Sequence, residues 1–323
     1  MDLQEITQPI HEELETFESY FRDAMRSKVA FVDMIARYIV KRKGKKIRPT
    51  LVLLTAKACG EVNESSYRGA ALVEILHTAT LIHDDVVDDA DTRRGFASIN
   101  AIWKNKIAVL MGDYMLAKGL LLSLDNNDFQ FLKIISDAVR RMSEAEILQI
   151  KKSRDLDIDE STYLKIISDK TASLLSTCCQ IGAASATRDQ KTLRSMKDFG
   201  ENIGMVFQLR DDLLDYIGRK SITGKPTGLD MKEKKLTLPL IHSFSMAPRG
   251  QAKFILRIIK DGASKKDLMQ IVEFAHEFGG IDYTTNKAQH YASLALEALE
   301  ALSYSPAKEA LTQFVDYVME RSK

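Results

Sequence analysis

Proline is nearly missing from the middle of this chain: of six prolines, none falls between Pro49 and Pro226. An interior proline costs a helix about 3 kcal/mol, so the gap leaves room for unbroken helices. The strict apolar–polar alternation that a half-buried strand requires is also scarce across it. Cysteine is rare. Cys59 and the neighbours Cys178 and Cys179 offer neither an even disulfide set nor zinc-ligand spacing, which fits a reducing compartment and a role as small apolar filler. Net charge is almost absent, with 46 Lys and Arg against 45 Asp and Glu, so no global field favours nucleic acid or an anionic membrane, and any charge chemistry is local. No uninterrupted apolar run reaches the roughly 20 residues of a bilayer span, and the N-terminal MDLQEITQPIHEELE lacks the basic and apolar blocks of a secretory leader. A soluble, cytoplasmic protein without a transmembrane segment is expected.

What is present is helix after helix. TLVLLTAKACG, YRGAALVEILHTATLIHDD, AVLMGDYMLAKGLLLSL and FLKIISDAVRRMSEAEILQIKK place apolar residues at three- and four-residue steps. Turn chemistry separates them at CGEVNESS, DADTRRGFAS, DNNDF, SRDLDIDEST (with an Asp or Ser N-cap) and SATRDQKT. Connections this short predict an all-α antiparallel helical bundle. Without tandem repeats or a proline-rich linker, residues 1–323 read as a single domain. The stretch after Asp215, YIGRKSITGKPTGLDMKEKKLTLP, is long and rich in Gly and Lys, as a functional loop would be.

Two aspartate clusters carry the chemistry. In EILHTATLIHDDVVDDADTRRG, helical geometry puts His77, Leu81, Asp84 and Asp88 along one face with Asp85 flanking it. Carboxylates one turn apart repel each other, and a helix C-terminus disfavours acid, so a decorative role is a poor fit there. Aspartate oxygens without His or Cys at ligand spacing suit hard Mg2+ shared with a phosphate. Arg93 and Arg94 follow at once, with the planar fork that phosphate oxygens fit. GMVFQLRDDLLDYIG repeats the geometry: Gln208, Asp212 and Asp215 lie near one line, Asp211 to one side, and a lysine-rich loop follows. Facing each other across a bundle, the clusters would clamp a diphosphate through several Mg2+ ions.

Over nearly its whole length the chain resembles the trans-isoprenyl diphosphate synthases. The resemblance rests on GKKIRP at Gly44 to Pro49, HTATLIHDDVVDDADTRRG, GDYMLAKG, the lysine of DKTASL, FQLRDDLLDY and GKPTGLDMKEKKLTLP. It implies an all-α homodimer in the isoprenoid synthase fold, each bundle enclosing a central active-site cavity. It also implies ionisation of an allylic diphosphate (farnesyl or geranylgeranyl), attack by isopentenyl diphosphate and loss of a proton. Asp84, Asp85, Asp88, Asp211, Asp212 and Asp215 would then hold up to three Mg2+ ions. Arg93, Lys170, Gln208, Lys225 and Lys235 would contact the allylic diphosphate, with Lys170 among the catalytic groups. Lys45, Arg48, His77 and Arg94 would bind isopentenyl diphosphate. Lys43, Lys46 and Lys234 depart from the usual pattern without removing a required charge. His83 reads as a structural histidine, and the released diphosphate as the proton acceptor.

In short-chain relatives a bulky aromatic stands four or five positions before the first aspartate; here those positions hold Thr80 and Ala79. Both are small, and the wording looks most like octaprenyl-type synthases that supply quinone side chains, which implies a hexa- to octaprenyl product. A short-chain farnesyl or geranylgeranyl synthase is the alternative. Phe129 and Phe131 could floor the product tunnel, but ordinary core packing is the simpler reading of both. Three rivals remain. Glu74 with His77 and Glu273 with His276 match the E-x-x-H spacing of di-iron bundles, yet that reading explains neither aspartate cluster. A non-catalytic partner subunit would be expected to lack an intact aspartate motif, and a terpene cyclase would show a different second motif. No nucleic-acid partner is expected; peripheral membrane contact during product release is compatible with an apolar product.

Overall fold

The computed structural model describes residues 2–41, 44–93, 95–217 and 235–321. In chain order these form α1 (Leu3–Thr7), a 3-10 turn (Gln8–Ile10), α2 (His11–Ala24), α3 (Ala30–Val40), α4 (Ile47–Cys59) and α5 (Glu64–Val87). The hairpin β1 (Thr92–Arg93) and β2 (Phe96–Ala97) leads to α6 (Ile99–Leu124), α7 (Phe129–Asp155) and α8 (Glu160–Ile167). A π-helical turn (Ser168–Ala172), α9 (Ser173–Ala186) and α10 (Gln190–Ile217) follow, then α11 (Leu238–Met246), α12 (Arg249–Asp261), α13 (Lys265–Glu277), α14 (Gly280–Leu299) and α15 (Pro306–Met319). The all-α expectation holds, with one hairpin where DADTRRGFAS read only as a turn; Thr92 faces Ala97 in its antiparallel register.

Local chemistry sets the helix starts. Asn63 caps α5 by accepting from the Ser65 and Ser66 amides, and Ser66 reciprocates; Ser98 caps α6, Asp159 caps α8 and Ser305 caps α15. Each satisfies amides that have no intrahelical partner, typically worth about 1 kcal/mol. The hydrogen bond from the Thr162 amide holds the Asp159 carboxyl down at about 2.

Burial then orders the helices. The largest apolar cluster joins Ile6 and Ile10 near the N-terminus, Leu51 to Leu54 of α4, Leu72 and Leu76 of α5, Cys178 and Ile181 of α9, Phe199 of α10, and Phe314 and Val318 of α15. Both ends of the chain therefore share a core with its middle. Each fully buried Leu or Ile adds about 1.5–3 kcal/mol of hydrophobic stabilisation. Cys178 and Cys179 are buried filler, and burial pushes the Cys179 thiol up to about 12. Phe131 is buried, whereas Phe129 is 58% exposed. Core packing is thus wrong for Phe129, because the start of α7 leaves it outside the bundle.

α5 and α6 pack along each other. Gly112 makes that seam possible, since a Cβ there would lie 2.3 Å from the His83 ring. His83 Nε2 also reaches the Val109 carbonyl oxygen at 3.3 Å and Asp113 at 3.3 Å, so the ring ties α5 to α6 as a structural histidine would. Among the described residues α6 is also the one helix long and apolar enough, by length and composition, to cross a membrane. Its outward stripe carries Val109, Leu110, Leu121 and Leu124.

Candidate active site

Each aspartate cluster closes a helix, and each divides its carboxylates in the same way. On α5, Asp84 and Asp88 are exposed, while Asp85 is 2% exposed and accepts a hydrogen bond from Arg93 of β1. On α10, Asp211 is exposed and pairs with Arg321 at 3.6 Å. Asp212 is 3% exposed and accepts from the Tyr163 hydroxyl and from Gln208 Nε2 at 2.7 Å. Asp215 is half-buried. The helical line expected for Gln208 and Asp212 is a direct hydrogen bond.

A cavity of about 140 Å3 opens beside α10, lined by Gln149, Lys152, Tyr163, Lys170, Thr171, Gln208, Asp212, Lys235 and Thr237 among others. Four residues picked out in the sequence, Lys170, Gln208, Asp212 and Lys235, thus meet on one wall. Lys170 connects this wall to the other cluster, because its charge acts on the Asp84 carboxyl. Desolvation in this concave setting, and then Glu146, raise Asp84 above its ordinary value against the pull of Lys170 and Arg93.

Two groups on α7 were missed by sequence reading. Glu146 forms an ion pair with Lys170 at 2.5 Å, and Gln149 Oε1 accepts from its ammonium at 2.7 Å. They stand three residues apart in EILQ, on an amphipathic helix face that carries no motif of its own. Thr171 was missed as well. Its hydroxyl donates to Gln208 Oε1 at 2.7 Å, which leaves the Gln208 amide to donate to Asp212.

Of the residues assigned to isopentenyl diphosphate, Lys45 and Arg48 lie at the start of α4 and His77 lies within α5. Lys46, between Lys45 and Arg48, adopts a left-handed conformation with φ 50° where α4 begins, a backbone cost of the kind found at binding sites. Lys45 Nζ lies 3.3 Å from the Tyr317 hydroxyl and over its ring. Arg48 is half-buried and His77 is 8% exposed. Arg48 and Glu74 both act electrostatically on Cys178, so α4, α5 and α9 converge there. Arg94, Lys225, Lys43 and Lys234 lie outside the described residues. Neither Ala79 nor Thr80 lines the cavity. Ala79 belongs to a buried cluster with Ile35, Met111 and Met115, and the Thr80 hydroxyl donates to the His77 carbonyl oxygen at 2.9 Å.

Among the described residues no three His, Cys, Asp or Glu side chains converge as a protein-only metal site. This leaves Glu74, His77, Glu273 and His276 without the ligand cluster that a di-iron centre requires. The exposed Asp84 carboxylate instead lies near enough to Lys170 and Arg93 for both charges to act on it.

Comparison with known proteins follows the same line. The sequence model of the polyprenyl synthetase family matches residues 29–275. The octaprenyl diphosphate synthase of Escherichia coli (strain K12) is 33% identical over 323 residues, 100% of both chains. The all-trans-nonaprenyl-diphosphate synthase (geranyl-diphosphate specific) of Rhodobacter capsulatus is 35% identical over 319 residues, 98% of each. Among solved structures, polyprenyl synthase from Caulobacter crescentus CB15, complexed with calcium and isoprenyl diphosphate, superposes with a TM-score of 0.90 at 33% identity, covering 100% of this chain and 98% of that one. The chain belongs to the polyprenyl synthetase family, the trans-isoprenyl diphosphate synthases that its motifs resemble, and is a prenyltransferase.

Proposed function

We propose that this prenyltransferase condenses isopentenyl diphosphate with an allylic diphosphate, farnesyl or geranylgeranyl, and repeats the step to a hexa- to octaprenyl product. The observation that carries this reading is Lys170, which lines the cavity with Gln208, Asp212 and Lys235 while its charge reaches Asp84. One cation thereby serves both aspartate walls, as binding of a single diphosphate between them requires. Lys170, Lys235 and Arg93, with Lys225 from the loop, bind the allylic diphosphate and hold its leaving oxygens as the C–O bond breaks. Lys45, Arg48, His77 and Arg94 orient isopentenyl diphosphate so that its double bond attacks the cation. The released diphosphate takes the proton.

The donor set fits Mg2+: Asp84, Asp88 and Asp211 present exposed carboxylate oxygens, and Asp215 is half-buried one turn after Asp211. Asp85 and Asp212 join as ligands only by giving up bonds to Arg93, Tyr163 or Gln208. Up to three such ions, bound with the substrate, supply neutralisation of the leaving-group charge. The related Caulobacter structure is complexed with calcium and isoprenyl diphosphate, which supports a divalent cation bound together with a diphosphate.

Long product length is supported by the octaprenyl and nonaprenyl relatives and by the small Ala79 and Thr80. Purified enzyme incubated with Mg2+, farnesyl diphosphate and isopentenyl diphosphate is expected to yield hexa- to octaprenyl diphosphate. A dominant geranylgeranyl product would sink the long-chain reading. In the same assay Ala79→Phe is expected to shorten the product while the first condensation persists; an unchanged length would place the gate elsewhere.

Residues 1–323 act as one catalytic domain in this proposal, because N- and C-terminal helices share the main core. The enzyme works in the cytoplasm as a homodimer, its exposed α6 stripe of Val109, Leu110, Leu121 and Leu124 covered by a second copy. A monomer mass in sedimentation would remove the dimer.

A further inference from the structure

The π-helical turn between α8 and α9 is the least regular piece of backbone in the site wall. The Ser173 amide bonds the Ser168 carbonyl five residues back, which inserts one residue into an otherwise continuous helix. Such turns cost stability relative to an α-helix and persist where the surroundings hold them. Here the turn separates two sets of side chains: Lys170 and Thr171 line the cavity, while Ser168 and Asp169 meet a part-buried ionic network.

Arg141 of α7 is the centre of that network. Its Nε donates to Asp169 Oδ1 at 2.7 Å, and its Nη2 donates to Glu201 Oε1 of α10 at 2.6 Å and to the Ser168 hydroxyl oxygen at 3.0 Å. The Ser168 hydroxyl donates to Glu201 at 2.6 Å, and Lys165 takes the second Asp169 oxygen at 2.8 Å. Two cations and two carboxylates balance. Burial alone would raise the Asp169 carboxyl, but the Lys165 and Arg141 hydrogen bonds outweigh it and hold the group below its ordinary value. On the other side of the turn a Cβ at Gly204 would lie 2.4 Å from Ala172 Cα, so α10 presses directly on the turn's backbone.

We infer that Arg141 is a positioning residue for diphosphate binding: it clamps Ser168, Asp169 and Glu201 so that the π turn aims Lys170 and Thr171 into the cavity. The substrate assignment rests on the proposed function, and the geometry of the clamp does not.

The test uses the full chain with Arg141→Met, Arg141→Lys and Asp169→Asn. Calorimetric binding of inorganic diphosphate with Mg2+ is measured beside KM for farnesyl diphosphate and for isopentenyl diphosphate. Arg141→Met is expected to weaken diphosphate binding and raise the farnesyl diphosphate KM about tenfold or more, with the isopentenyl diphosphate KM within about twofold; Arg141→Lys falls between. A folded Arg141→Met with unchanged diphosphate binding, or with both KM values raised alike, overturns the inference. Should Arg141→Met not fold, Asp169→Asn, which keeps the Arg141–Glu201 pair, decides by the same split. A parent enzyme that makes no prenyl product sinks the proposed function alone, since the diphosphate arm still judges the clamp.

Discussion

The two aspartate walls are near-copies in sequence and differ in what restrains them. On α5 the second aspartate, Asp85, is neutralised by a cation, Arg93, that comes from the adjoining hairpin. On α10 the bonds described for the matching Asp212 come from the neutral Tyr163 of α8 and Gln208 of its own helix. Their first aspartates differ too. Asp211 has a cation, Arg321, at 3.6 Å, whereas Asp84 faces Glu146 and has its carboxyl raised. One motif therefore serves two ends. Its exposed first carboxylate is available to a ligand, and its buried second carboxylate fastens the helix end.

Removing the exposed members should have the largest effect. Asp84→Ala and Asp211→Ala are each expected to lower kcat/KM by about 100- to 1000-fold, the usual loss when one preorganised electrostatic group is removed, with melting temperatures near the parent's. Unfolding seen by circular dichroism would reverse the division and make these the fastening groups. Removing the buried members should instead appear in stability. Asp85→Asn leaves the Arg93 charge uncompensated and should cost about 3 kcal/mol, the low end for a buried pair because the Arg93 side chain is 30% exposed. Asp212→Asn keeps one acceptor oxygen and loses about one hydrogen bond, about 1–2 kcal/mol. Urea titration of the two variants measures the difference, and a larger loss for Asp212→Asn would mean that the neutral bonds hold the helix end more firmly than the ion pair does.

Sequence reached these walls because helical period and motif coincide there: Asp84, Asp88, Gln208 and Asp212 fall on lines set by 3.6 residues per turn. An Asp or Ser cap in SRDLDIDEST was legible for a similar reason, and it is Asp159. It missed partners supplied by distant chain. Tyr163 stands 49 residues from Asp212, and Glu146 and Gln149 look like ordinary polar positions on α7. The π turn left no trace, because one inserted residue changes no composition or spacing that a single sequence exposes. Ala79 shows a further limit: helix angles favoured Thr80 and only the family pattern singled out Ala79, and the neighbours that surround it, Ile35, Met111 and Met115, come from chain that carries no motif. Phe129 fails the same way, since apolar character alone does not say which end of a helix the bundle covers.

The smallest predicted effect isolates the contrast between the first aspartates. Desolvation, then Glu146, raise the Asp84 carboxyl in the fold, so ionisation is harder there than in the unfolded chain. Below the ordinary carboxylate value both states are protonated and Asp84 costs nothing. As pH rises past the ordinary value the unfolded state ionises first, and the penalty is complete once pH exceeds the raised native value. Without added Mg2+ or diphosphate, Asp84→Asn should therefore raise the melting temperature at neutral pH, and the gain should shrink as pH falls toward the carboxylate range. Asp211→Asn, which gives up the Arg321 pair, should show no such gain. Calorimetric melting of both variants across that range measures it. A fall for Asp84→Asn would mean that Lys170 and Arg93 already stabilise its charge, and that the α5 wall is no more frustrated than the α10 wall.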